Sequence, residues 1–136
     1  MWEKNVIKWQ ESYSLGVTEL DEQHKNLFVF SNDIDGILQD RDVSGKELAD
    51  ALKFLGEYVA DHFHLEEKCM HDHACQIAEK NKFAHEKFIQ TYKALEKRID
   101  QDDDAYSILA ELHRFLENWL VEHICKIDVQ LKPCIH

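Results

Sequence analysis

Apolar residues recur at alternating steps of three and four along four stretches of the chain. This spacing places side chains on one face of a helix, so it predicts four amphipathic α-helices. We expect these helices at residues 18–40, 44–70, 75–100 and 104–127. Their inward positions are Leu20, His24, Leu27, Ser31, Ile34 and Leu38; Leu48, Leu52, Leu55, Val59, His62 and Glu66; Ala78, Asn81, His85, Phe88, Tyr92, Leu95 and Ile99; and Leu109, Leu112, Leu116, Trp119 and His123. Each helix therefore carries a histidine on the face that should enter the core.

Residues that commonly start helices stand just before three of these stretches. Thr18 is predicted to cap the first helix, and Ser44 with Glu47 forms a capping box for the second. Asp103 or Asp104 should cap the fourth. The connections between the helices are short, which predicts an all-α, antiparallel up-down-up-down four-helix bundle.

The remaining N-terminal residues, 1–17, are expected to form an arm whose aromatic side chains, Trp2, Trp9 and Tyr13, pack across the bundle. The chain has 136 residues with only four Gly and one Pro, so little interrupts long helices. We expect a single domain over residues 1–136.

Net charge and hydropathy limit the classes of protein to which this chain can belong. The formal net charge is −11, which disfavours nucleic acid as a partner because phosphate binding needs clustered positive charge. The apolar runs are too short for a membrane span, and the N-terminus does not resemble a secretory signal. We therefore expect a cytoplasmic protein, and nothing in the sequence marks a surface for a protein partner.

The four cysteines, Cys69, Cys75, Cys125 and Cys134, form no CxxC pair, which argues against a zinc ribbon or a thioredoxin-type motif. We expect reduced thiols, with a redox pair between Cys69 and Cys75 as the alternative. Iron–sulfur ligation is disfavoured, because it usually needs tighter cysteine spacing.

A carboxylate on a buried helix face is costly unless it is paired or binds a metal. His62 and Glu66 are one helical turn apart and can meet one ion. His123 and Asp128 are separated by about 140° on a regular helix, so they can share a site only if the helix loosens or ends between them.

The inward histidines are also expected at a similar level along the bundle axis, since all lie toward the same end of an antiparallel bundle. Separate polar core residues are the simpler alternative, but four imidazoles with carboxylates are better explained by a metal site for iron, manganese or zinc. Two carboxylates could bridge two ions. The histidines off the inward faces are expected at the surface: His64, His71, His73, His113 and His136.

Four segments together resemble the hemerythrin family: DEQHKNLF (21–28), HFHLEEKCM (62–70), FAHEKF (83–88) and WLVEHICKID (119–128). The resemblance extends from Trp9 to Leu131. It implies a four-helix bundle with two non-heme iron ions, Fe²⁺ or Fe³⁺ with an oxo or hydroxo bridge, that bind O2 reversibly. The implied ligands are His24 and His62 for one iron, His85 and His123 for the other, and Glu66 and Asp128 as bridging carboxylates. The implied apolar wall of the O2 pocket is Phe63, Trp119, Leu120 and Ile124.

The chain departs from the family pattern at Asn81, where a histidine ligand usually precedes His85 by one turn. Water, the Asn81 carbonyl, or His71 or His73 could replace it. The expected function is O2 binding as a carrier, store or sensor. The alternatives are a peroxidase or oxidase acting on a peroxide or another small ligand, and an iron-handling or iron-sensing protein.

Overall fold

A computed structural model describes residues 8–99, 101, 104–124 and 128–135, with the side chains of residues 128, 129 and 135 outside that description. The long helices are α1 (Thr18–Gln39), α2 (Gly45–Asp72), α3 (Ala78–Ile99) and α4 (Ala105–Trp119). They form the predicted antiparallel four-helix bundle, and the described residues include no β-strand. Four residues named above lie outside the described part: Trp2, Asp103, Cys125 and His136.

Short helical turns flank the bundle. A 3₁₀ turn, Glu11–Tyr13, precedes α1, and α4 continues as a π-helix, Leu120–Ile124. A second 3₁₀ turn, Asp128–Leu131, leads into a short α5, Lys132–Ile135. Among the described residues, no helix combines the length and the apolar character needed to cross a membrane.

Two of the predicted helix starts are confirmed. Ser44 Oγ accepts a hydrogen bond from the Glu47 amide at 3.0 Å, and the Glu47 carboxylate accepts one from the Ser44 amide at 3.1 Å. At α4, the Asp104 carboxylate accepts a hydrogen bond from the Ser107 amide at 3.1 Å. These side chains satisfy amide groups that have no partner inside the helix.

The predicted cap at Thr18 is wrong, because Val17 occupies the N-cap position and makes no side-chain cap. The first turn is instead tied to the arm through Asp21, whose carboxylate accepts a hydrogen bond from the Leu15 amide at 2.8 Å. The arm packs as expected: the Trp9 and Tyr13 rings lie 6.0 and 5.9 Å from the Phe28 ring.

The inward faces pack into one large apolar core that includes residues of all four long helices. Ile99, predicted to face inward, is 39% exposed because α3 ends there. His113, predicted at the surface, is buried. The reason is that α4 contacts α1, α2 and α3, and so buries a wider face than a narrow stripe.

A smaller apolar cluster closes one end of the bundle and is built from Leu15, Leu20, Met70, Cys75 and Leu131. Here Cys75 and Cys134 form a disulfide, with their Cα atoms 5.8 Å apart. The expectation of reduced thiols is therefore wrong for these two residues, and so is the alternative pair of Cys69 with Cys75. The chain end folds back over the α2–α3 connection, a closure that sequence spacing does not reveal.

Candidate metal centre

Four imidazoles and one carboxylate meet inside the bundle. They come from α1 (His24), α2 (His62 and Glu66), α3 (His85) and the π-helix after α4 (His123). Each of the five side chains is at most 1% exposed. The structure therefore brings together the inward histidines of all four helices at one height, around Glu66.

The two oxygens of Glu66 face different pairs of histidines. Oε2 lies 3.3 Å from His24 Nε2 and 3.5 Å from His62 Nε2. Oε1 lies 3.0 Å from His85 Nε2 and 3.8 Å from His123 Nε2. We call the group of His24, His62 and Glu66 the first position, and the group of Glu66, His85 and His123 the second position.

In each position the ligand atoms lie within 4.8 Å of one another, a spacing that allows them to hold a metal ion. The Nε2 atoms of His24 and His62 are 3.0 Å apart, and those of His85 and His123 are 3.2 Å apart. One carboxylate is thus shared by two compact groups, which is the arrangement of a bridging ligand.

The surroundings of Glu66 favour its charged form. Burial alone would raise the pKa of this carboxyl, but hydrogen bonds with His123, His24 and His85, and the charge of His62, hold its pKa well below the usual value. Glu66 is therefore a carboxylate that only accepts hydrogen bonds or binds cations.

Local helix geometry explains how these side chains converge. His62 and Glu66 are one turn apart on α2, so they project from the same face. His123 lies in the π-helix Leu120–Ile124, whose wider turn gives the kind of loosening that the spacing to Asp128 requires. Asp128 begins the next 3₁₀ turn, but its side chain lies outside the description, so its role as a ligand stays a prediction.

Aromatic rings hold the histidines of the second position. The Phe63 ring stacks on His85 with centroids 3.9 Å apart and planes within 7°, and the Trp119 ring stacks on His123 at 4.3 Å and 18°. Leu120 and Ile124, the other two residues of the predicted apolar wall, are fully buried. The second position is thus lined on one side by aromatic rings and buried apolar side chains.

Two residues that orient the ligands were missed by the sequence analysis. His62 Nδ1 lies 2.7 Å from the amide oxygen of Gln23, and His85 Nδ1 lies 3.0 Å from a carboxylate oxygen of Glu67. These oxygens only accept, so each ring donates its Nδ1–H, and Nε2 is the ring nitrogen left to bind a cation. Gln23 and Glu67 stand directly beside His24 and Glu66 in the sequence, which is the one signal that could have indicated them.

Asn81 occupies the place beside the second position where the family resemblance expects a histidine. It is fully buried, and its Nδ2–H donates to Glu66 Oε1 at 2.9 Å. The same nitrogen lies 3.4 Å from Met70 Sδ, a neighbour that the sequence analysis did not single out. The Asn81 amide therefore contacts the shared carboxylate directly.

The two histidines considered as replacements lie away from the centre. The His71 side chain is 91% exposed. His73 is also at the surface, with its Nδ1 at 2.8 Å from the Cys69 carbonyl oxygen. Neither is placed to supply the second position with a ligand.

The donor chemistry fits a transition metal in both positions. Imidazole nitrogens with a shared carboxylate suit iron, manganese or zinc, whereas magnesium and calcium prefer oxygen ligands alone. A dry site with an ionised carboxylate also gains from a cation that neutralises it. The residues present therefore fit two ions, with two imidazoles and one oxygen of Glu66 at each position.

Comparison with known proteins agrees with this geometry. Residues 15–135 match the family model described as the hemerythrin HHE cation binding domain. A hemerythrin-like protein from Naegleria gruberi is 32% identical over 126 residues, which cover 93% of this chain and 91% of the relative. A bacteriohemerythrin from Clostridium acetobutylicum is 29% identical, covering 90% of this chain and 96% of the relative. A myohemerythrin from Theromyzon tessulatum is 24% identical, covering 92% and 90%.

Proposed function

The chain belongs to the hemerythrin family, and on that premise we propose that it holds a non-heme diiron centre that binds O2 as a carrier, store or sensor. The observation that carries the proposal is Glu66, whose two oxygens each face a separate pair of buried imidazoles. A carboxylate in that arrangement can bridge two ions.

The first position would hold one iron through His24, His62 and Glu66, and the second would hold the other through Glu66, His85 and His123. Asp128 would supply a second bridging carboxylate from the turn that follows the π-helix. Iron, when bound, would supply the redox chemistry for reversible O2 binding.

The surrounding residues would keep that chemistry reversible. Phe63 and Trp119 cover the histidines of the second position, and Leu120 and Ile124 add buried apolar surface nearby. Such a lining excludes water and limits the supply of protons. Gln23 and Glu67 keep the two rings in the tautomer that binds a cation through Nε2.

The test is to load the metal-free protein with Fe²⁺ under anaerobic conditions, measure iron by elemental analysis, and record the optical spectrum after adding O2. We expect two irons per chain and a stable spectrum that reverses when O2 is removed. Glu66→Ala should lose iron from both positions while the bundle stays folded by circular dichroism. At most one tightly bound iron in the natural chain, or unchanged iron in Glu66→Ala, would contradict the diiron proposal.

A second candidate is a diiron peroxidase or oxidase, and Asn81 is the observation that favours it. An amide at that place leaves the second position with one strong donor fewer than the family pattern, so a place on the ion would stay available to water or peroxide. Fast turnover of peroxide with no stable O2 spectrum would support this candidate. Iron-dependent melting without either property would instead support iron handling or sensing.

A further inference from the structure

Two neighbouring carboxylates on α2 have different surroundings. Glu66 is fully buried and shared by the two positions, whereas the Glu67 side chain is 35% exposed. Glu67 nevertheless contacts the centre, because its Oε2 lies 3.0 Å from His85 Nδ1. It also lines a surface cavity of about 340 Å³ between α2 and α3.

The two positions differ in the group that accepts the Nδ1–H of their oriented histidine. At the first position, His62 donates to the neutral amide of Gln23 at 2.7 Å. At the second, His85 donates to the negatively charged Glu67. The charged acceptor therefore stands at the same position where Asn81 replaces an imidazole.

A carboxylate behind a histidine does more than orient it. It fixes the ring with its Nε2 lone pair toward the metal and raises the basicity of that nitrogen. The Phe63 ring already sets the plane of His85 by stacking on it. What Glu67 adds is the tautomer and the negative charge, neither of which stacking supplies.

Asn81 acts in the opposite direction. Its Nδ2–H donates to Glu66 Oε1, the oxygen that faces the second position, and so competes with a cation for that oxygen. The second position thus has a weakened carboxylate oxygen and one imidazole fewer than the family pattern. A stronger donor at His85 would offset part of this loss.

We propose that Glu67 is a positioning residue whose charge, acting through His85, compensates the second metal position for the amide at Asn81. This inference rests on the proposed two-metal centre. It predicts that the affinity of the second ion depends on Glu67, that the affinity of the first does not, and that the dependence weakens when position 81 carries an imidazole.

The test is an equilibrium titration of the metal-free full chain with Co²⁺, a redox-stable ion whose visible spectrum reports its ligands. Two binding steps are followed in the natural chain, in Glu67→Gln and in Glu79→Gln. Glu79→Gln is the matched control, because it removes the same charge from a residue lining the same cavity. Asn81→His and the double variant with Glu67→Gln complete the set.

We expect Glu67→Gln to lower the Co²⁺ affinity of the weaker of the two binding steps by about 10- to 100-fold. That is the usual effect of losing a group that hydrogen-bonds to a metal ligand. The tighter step should stay the same, and the spectrum of the second Co²⁺ should change. Glu79→Gln should affect neither step, and in the Asn81→His background the loss caused by Glu67→Gln should be smaller.

Equal weakening of both steps, or the same weakening in Glu79→Gln, would overturn the inference, since either result indicates general electrostatics. An undiminished loss in the Asn81→His background would overturn the compensation. A natural chain that binds fewer than two Co²⁺ ions fails in a different way, because that result contradicts the proposed two-metal centre itself.

Discussion

Reduction of the Cys75–Cys134 disulfide should destabilise the metal-free protein by a measurable amount. The bond joins residues 59 positions apart and so restricts a long loop of the unfolded chain. In the chain-entropy treatment a loop of that length contributes roughly 4 kcal/mol, an upper value because residual structure in the unfolded state reduces it. For a chain of this size, the corresponding loss in melting temperature is roughly 15 °C.

The assay is urea unfolding of the metal-free protein, followed by far-ultraviolet circular dichroism, with and without a dithiol reductant. Cys134→Ser should match the reduced natural chain. Cys69→Ser is the control, because Cys69 is a free thiol and should cost little. Breaking the cross-link should also steepen the dependence on urea, since the unfolded chain then exposes more surface.

Two results would refute this reasoning. The first is a free energy of unfolding for Cys134→Ser within about 0.5 kcal/mol of the oxidised natural chain, the range of ordinary surface substitutions. The second is a loss in Cys69→Ser as large as in Cys134→Ser. Either result would mean that the disulfide between the chain end and the α2–α3 connection does not restrict the conformations of the unfolded chain.

Four further substitutions test other parts of the structure. Asn81→His should tighten the second metal ion and slow autoxidation in stopped-flow measurements at matched iron content; equal or faster decay would show that Asn81 does not weaken the site. Gly56→Ala should lower stability by about 1–3 kcal/mol, because the new Cβ would lie 2.5 Å from the Tyr92 hydroxyl oxygen. Gly36→Ala, where nothing lies within 4 Å, should instead raise stability by about 0.5–1 kcal/mol in thermal melts, and a loss there would contradict the packing described. Ser44→Ala should cost about 1 kcal/mol in urea unfolding by removing the capping box, and no change would deny that cap a role.

The helices and the cluster of metal-binding side chains could be predicted from the sequence, because the same helical periodicity determines the positions of both. Inward positions repeat with the helical turn, so the same pattern that finds Leu52 and Leu55 also finds His62 and Glu66 on that face. Convergence of the four helices then follows from short connections. The capping box at Ser44 was equally local, since all of its partners lie within one turn.

Features that depend on neighbouring helices were not accessible in this way. Gln23 and Glu67 lie beside the inward positions and matter because they contact His62 and His85 on other helices. His113 is buried because α4 contacts three helices, a property that its own periodicity does not contain. The disulfide depends on how the end of the chain folds back, since four cysteines permit several pairings.

The geometry of the histidine pairs connects metal binding to folding. The two Nε2 atoms are 3.0 Å apart at the first position and 3.2 Å apart at the second. Protonation of both rings of a pair would therefore be unfavourable, because like charges in a dry core repel. A shared proton relieves one contact, whereas a cation can satisfy both nitrogens and an oxygen of Glu66 together. Binding should therefore stabilise the folded bundle beyond what the apolar faces provide. Because Glu66 belongs to both positions, we expect each ion to favour the arrangement that the other needs.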